Sequence, residues 1–385
     1  MDVTRAGETR PQYPSQFPVS APIEQNRRIT DGLTGEQANT LGTLSACYVA
    51  RDSQDHENWS MASLRFRLLI AIAGLLAATA GARAQAKFPQ DSDNAALRYW
   101  TALTEVRSIF DEDEPTQKLL WATAKGEIPW DENKLGPILE RNANALRAMQ
   151  RGAKLPECNW GLDYRLGVST PVEMVMRARG LELLNTLEGI RELAKGNGQA
   201  AVNIWLSGIR FSQDVGRGGP VVLALVASGM LTDTLQPITA QAKQGKLEPA
   251  QKKALYEAIK QLPDDGFDWG ISWGIEYAIG NQFLEGLRQA SDPRAVYKQY
   301  GAPVPKGVPP TQQDIDRYGE FMLAVQGALR EHPDIATPLL SDLESRERSL
   351  REAERWMIPS LSQPNRARIK VLSVRDELLQ VLASN

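Results

Sequence analysis

No catalytic or ligand-binding motif in this sequence rises above chance, and the candidates for chemistry are four carboxylates and four aromatic side chains: Asp264, Asp265, Asp268 and Glu276, with Trp160, Tyr164, Trp269 and Trp273. Two carboxyls about 5 to 9 Å apart can cleave a glycosidic bond, one as acid and one as base or nucleophile, and flat aromatic rings suit the faces of sugars. The two clusters share an echo, since Asn159-Trp160-Gly161-Leu162-Asp163-Tyr164 is similar to Asp268-Trp269-Gly270-Ile271-Ser272-Trp273 and each follows a loop. Two related halves would bring Asp163 and the four acids to one groove. The competing reading is plainer. Trp269 and Trp273 stand i, i+4, which places both on one helix face and into a core, while aspartates at such positions cap helices. The spacing favours this second reading.

The remaining constellations are weaker. Gly270-Ile271-Ser272-Trp273-Gly274 fits the G-x-S-x-G elbow, and His332 lies downstream of it. That elbow needs a strand before the serine, whereas Pro263-Asp264-Asp265-Gly266 makes a turn. After residue 60, His332 is the sole histidine and Cys158 the sole cysteine. A zinc or other His/Cys-rich metal site therefore has too few ligands, and no cofactor is implied. Cys158 precedes a tryptophan in a segment that reads as packed, which makes it a small hydrophobe rather than a nucleophile. Asp111-Glu112-Asp113-Glu114 lacks the spacing of a calcium loop, and acidic residues just before Pro115 favour a helix N-terminus through its dipole.

The elements that must position these groups are helical. The chain has 385 residues, 42% hydrophobic and 24% charged, with a formal net charge of -3. Lys and Arg are spread along it, so a phosphate-tracking surface has no electrostatic basis and nucleic acid is not expected as a partner. Breakers are well spaced, and no run of alternating β-branched residues suggests a sheet. Asn94 caps a helix through Tyr99, Trp100, Leu103 and Val106, and Pro115 opens the next. A third spans Asn133 to Arg151, and Thr170-Pro171 opens a long helix to Lys195. Short Gly-rich turns at 196–198 and 216–219 then join it to Gln199–Asp214 and to Pro220–Gln244. That last stretch is uncharged between Arg217 and Asp233, yet its length and the Gly219-Pro220 boundary mark a central core helix rather than a membrane span. Five further helices follow, for roughly ten in all.

At the N-terminal side, Met61 starts a secretory pattern: Arg65 and Arg67, an apolar run from Leu68 to Ala80, and Ala82-Arg83-Ala84-Gln85-Ala86 as a small-residue cleavage site. The apolar run is about 13 residues, short of the roughly 20 that span hydrocarbon. The expected division is therefore a start-site extension without ordered structure (1–60), a signal peptide (61–84), a main helical domain (85–299), a Pro/Gly-rich linker (300–310) and a C-terminal helical unit (311–385), with the product periplasmic or secreted and no stable membrane span after cleavage.

Leu193 to Phe211, with a Gly-Asn-Gly turn followed by Ala200, Ala201, Trp205 and Ile209, resembles one tetratricopeptide-like helical hairpin, without the repeat's full pattern. Asn94-Ala95-Ala96 with Tyr99-Trp100, and Arg151 through Tyr164, are similar to exported bacterial all-helical proteins of no assigned activity. The resemblance implies an all-α fold of antiparallel hairpins stacked as a solenoid-like or bundle domain, and implies no chemistry. The expected function is an exported helical scaffold of the cell envelope, binding a protein or peptide partner and more in keeping with a non-enzyme. The alternative is an envelope glycan hydrolase using the paired carboxylates beside the tryptophans.

Overall fold

The computed structural model describes residues 92–172, 174–299 and 309–384. The expectations placed on 1–60, on the signal at 61–84 and on most of the 300–310 linker lie outside them. The described residues all belong to one compact unit, and its class is all-α. Among the described residues the only strand-like feature is an isolated bridge between Asn94 and Glu157.

The first part contains α1 (Ala95–Glu105), α2 (Glu114–Ala124), α3 (Glu132–Arg141) and α4 (Ala143–Gly152). Caps explain their starts. Asn94 accepts from the Ala96 amide, Asp113 from Thr116, and Asp131 from Asn133 and Lys134, each meeting an amide that has no carbonyl partner inside its helix. The acidic run before Pro115 thus supplies a cap, while Glu112 pairs with Arg141 and Glu114 with Lys118. The single helix expected over 133–151 is two, broken at Asn142. Its side chain donates to the Ile138 carbonyl at 2.9 Å and accepts from the Arg107 amide at 2.8 Å, so the break is held by bonds no helical spacing reveals.

The centre is built from α5 (Met174–Ala194), α6 (Gly198–Gly216) and α7 (Val221–Lys243). The turn between α5 and α6 uses Gly196 at φ +84°, a left-handed conformation that costs glycine nothing sterically. Thr170 does not cap α5 as its sequence suggests. Its hydroxyl donates to the Gly167 carbonyl at 2.8 Å, closing the 3-10 turn Tyr164–Ser169, and the helix begins at Met174. Leu181, Leu184 and Leu187 of α5, Trp205 and Phe211 of α6, and Leu231, Leu235 and Ile238 of α7 are fully buried. Each such side chain contributes about 1.5–3 kcal/mol relative to exposure. Of the described helices α7 alone is long and apolar enough to cross a membrane by length and composition; here it packs against α5, α6 and two later helices.

Those follow as α8 (Pro249–Lys260), α9 (Trp269–Gln289), α10 (Pro293–Gln299), α11 (Gln312–Ala328), α12 (Pro333–Glu347), α13 (Glu352–Trp356) and α14 (Ser362–Ala383). The final helix returns to the centre and packs along α7 and α8, while α9 packs on α11. Gly280 of α9 lets the ring of Tyr318, itself wholly buried, lie against the helix backbone.

Candidate functional site

The residues singled out for glycan chemistry are occupied elsewhere. Trp160, Trp269 and Trp273 are 6%, 1% and 0% exposed, so a sugar ring has no indole face to meet. Trp160 stacks on Tyr99 and donates to the Asp214 carbonyl at 2.7 Å. Tyr164 donates to the Gly218 carbonyl, and burial raises its pKa. The acids are likewise engaged. Asp268 caps α9 by accepting from Ile271, Asp265 binds Arg368 at 2.6 Å, and Asp264 pairs with Arg375 at 3.2 Å. Glu276 is largely buried and accepts from the Val221 amide at the start of α7, with burial raising its carboxyl above the ordinary range against that hydrogen bond. The echoed segments adopt different structures, one irregular before the 3-10 turn and the other helical in α9. Ser272 is buried inside α9 with no strand before it. His332 caps α12, and burial pushes the Cys158 thiol up to about 12. Asp163 forms an exposed pair with Arg165.

An open cleft of about 760 Å³ forms instead where α2, α5, α7 and α14 meet. Sequence reading does not find it, because its residues come from positions as distant as Trp121 and Glu377. Apolar packing explains the convergence: Leu120 and Ala124 bury α2, Leu181 and Leu184 bury α5, Leu235 and Ile238 bury α7, and Val374 and Leu378 bury α14. The polar residues on the neighbouring faces are thereby turned toward one another.

On the cleft floor the Arg179 guanidinium lies 5.3 Å from the centre of the Trp121 ring, a cation–π contact, and 3.5 Å from Asp233 Oδ2. Burial raises the Asp233 carboxyl above its ordinary value, and Arg179, Lys370 and Lys125 oppose that rise. Two atoms here lack a hydrogen-bond partner, Arg179 Nε and Asp233 Oδ2. On the rim Lys243 pairs with Glu377 at 2.6 Å. Lys125, which caps the C-terminus of α2, and Lys370 of α14 line the cleft without an ion pair of their own among the described residues. Four cations thus face two carboxylates. Among the described residues no group of three His, Cys, Asp or Glu could hold a metal ion.

Behind the floor lies Glu182 of α5, fully buried. Thr186 donates to its Oε1 at 2.6 Å, Thr234 is bonded to the same oxygen, and Oε2 has no partner. Desolvation pushes this carboxyl up to about 8 despite the two hydroxyls. Thr234 also sits 3.1 Å from the Met230 carbonyl. One hydroxyl hydrogen cannot serve both oxygens, which suits a protonated Glu182 that donates to Thr234 while Thr234 donates onward. An acid whose pKa is 4.5 unfolded and higher when folded holds more protons in the native state. Its stabilisation is then complete below about pH 4.5 and is lost as pH climbs through the folded value. Glu182→Gln keeps the shape and removes the ionisation. Melting temperatures measured from pH 5 to 8.5 are expected to fall less steeply for this variant than for the wild type; parallel curves would show that Glu182 does not hold its proton.

A second cavity of about 590 Å³ lies between the 3-10 turn and α9–α10, lined by Leu166, Val168, Phe283 and Val296 among others. Gln282 bridges it by donating to the Arg165 carbonyl at 2.6 Å. Compared with known protein families, with characterised proteins and with solved structures, the chain has no match in any of the three.

Proposed function

We propose that this protein is an exported, non-enzymatic helical scaffold of the cell envelope that holds a protein or peptide partner in the cleft between α2, α5, α7 and α14. The observation that carries the reading is the cleft itself: four separate helices turn polar and charged side chains toward one open space, with two lysines that make no ion pair among the described residues. Its volume is within the range of ligand sites, and its rim is more charged than the apolar lining of a small-molecule pocket. Export rests on the secretory pattern from Met61 to Ala86. A mature protein beginning near residue 85 or 87 is the corresponding result of N-terminal sequencing.

The test of the scaffold role is site-specific photocrosslinking in the native envelope. A benzoylphenylalanine at Gln236, exposed on the cleft wall, is expected to give a discrete adduct that the same group at Leu323, exposed on α11, does not give. Identical adduct patterns from both positions, or none from Gln236, would overturn the reading.

A further inference from the structure

We infer that the segment held in this cleft is acidic peptide, read by Arg179 and Asp233 as a pair and attracted by Lys125 and Lys370. The inference rests on the scaffold reading above. Its first support is charge. The chain as a whole is net negative, yet this cleft carries Lys125, Arg179, Lys243 and Lys370 against Asp233 and Glu377. Lys243 and Glu377 satisfy each other at 2.6 Å, and Arg179 approaches Asp233 at 3.5 Å. The excess positive charge is thus on Lys125 and Lys370, which come from different helices, α14 and the end of α2.

The second support is the long ion pair of Arg179 and Asp233 that lies beside those lysines. Trp121 holds the guanidinium of Arg179 at 5.3 Å from its ring centre, and the buried Nε–H of that arginine has no acceptor. Beside it, the buried Oδ2 of Asp233 has no donor. At 3.5 Å the two groups attract each other as charges without completing each other's hydrogen bonds. Both atoms are sealed from solvent, so a ligand in the cleft reaches this pair through the exposed part of each side chain, 40% for Arg179 and 21% for Asp233. A peptide bearing carboxylates meets both. A side-chain carboxylate accepts from Arg179 and the lysines, and a backbone N–H donates to Asp233. A neutral peptide leaves the lysines uncompensated. A phosphate satisfies the cations but places its own charge against Asp233 and, when fully ionised, has no hydrogen to give it.

Fluorescence anisotropy with the exported domain and a labelled peptide of alternating glutamate and glycine tests this directly. The glutamate peptide is expected to bind saturably, with affinity that falls as salt is raised, and to bind at least about tenfold more tightly than its glutamine counterpart. Lys125→Glu with Lys370→Glu, both on exposed side chains, is expected to weaken it at least about tenfold at an unchanged melting temperature. Equal binding of the two peptides, an unaffected double variant, or displacement by inorganic phosphate at the peptide's own concentration would each overturn the inference. If no peptide binds while Gln236 still gives its adduct, the acidic assignment fails and the scaffold reading survives. If both experiments are negative, both fail.

Discussion

Gly280→Ala is expected to destabilise the protein by about 3 kcal/mol, at the upper end of what overpacking costs. The added methyl would collide with the Tyr318 hydroxyl and lie 2.7 Å from the ring carbon that bears it. Tyr318 is 0% exposed, so its ring cannot swing out to solvent, and α9 and α11 must instead move apart. The companion variant separates this clash from a simple loss of the tyrosine. Tyr318 Oη has no hydrogen-bond partner, so Tyr318→Phe removes nothing that is paired and is expected to change stability by less than about 1 kcal/mol. Combined with Gly280→Ala it recovers part of the loss, since the ring carbon still crowds the methyl. Urea denaturation of the three variants reads these values. A Gly280→Ala midpoint equal to wild type would show that the two helices have slack that their packing does not suggest.

Arg368→Met is expected to cost about 3–5 kcal/mol, the range found when one partner of a buried ion pair is removed. Arg368 is 1% exposed and ties three places together. Its Nε donates to Asp265 in the turn before α9, its Nη2 donates to the Glu331 carbonyl after α11, and its backbone belongs to α14. The methionine fills similar volume, so the loss reports the stranded Asp265 and the unmet carbonyl rather than a void. Adding Asp265→Asn removes the stranded charge and is expected to restore a measurable share, which a double-mutant cycle gives directly. Additive effects would mean that Asp265 and Arg368 do not stabilise each other.

The helical class was legible because capping and periodicity are local. Asn94, Pro115 and the i, i+4 pair Trp269 and Trp273 all stand where their types and spacing put them, and the tryptophans are buried as the plainer reading required. Two boundaries were not legible, because the deciding hydrogen bonds reach Arg107 from Asn142, inside what reads as one helix, and Gly167 from Thr170, in place of the expected cap. The cleft escaped for a related reason. Lys125, Arg179, Asp233 and Lys370 share no motif and are assembled only by packing. A faint signal did exist. Arg179 and Glu182 interrupt a helix otherwise read through its apolar positions, and Asp233 ends the long uncharged stretch of α7. A charge inside such a helix must find a partner or a proton. Here Arg179 and Asp233 meet across the cleft floor, and Glu182 takes the proton.

The return of α14 to the central helices bears on how the polypeptide reaches its native state. Asp265 and Arg368 are 103 positions apart, and the part of α7 that α14 packs against is covered only when the last segment arrives. Contacts of such long sequence separation form late, since the loop they close must first lose its freedom. A ribosome most of the way through this message therefore carries a nascent chain whose interior is still open, and loss of the final twenty or so residues would leave that surface sticky rather than merely shorten the molecule.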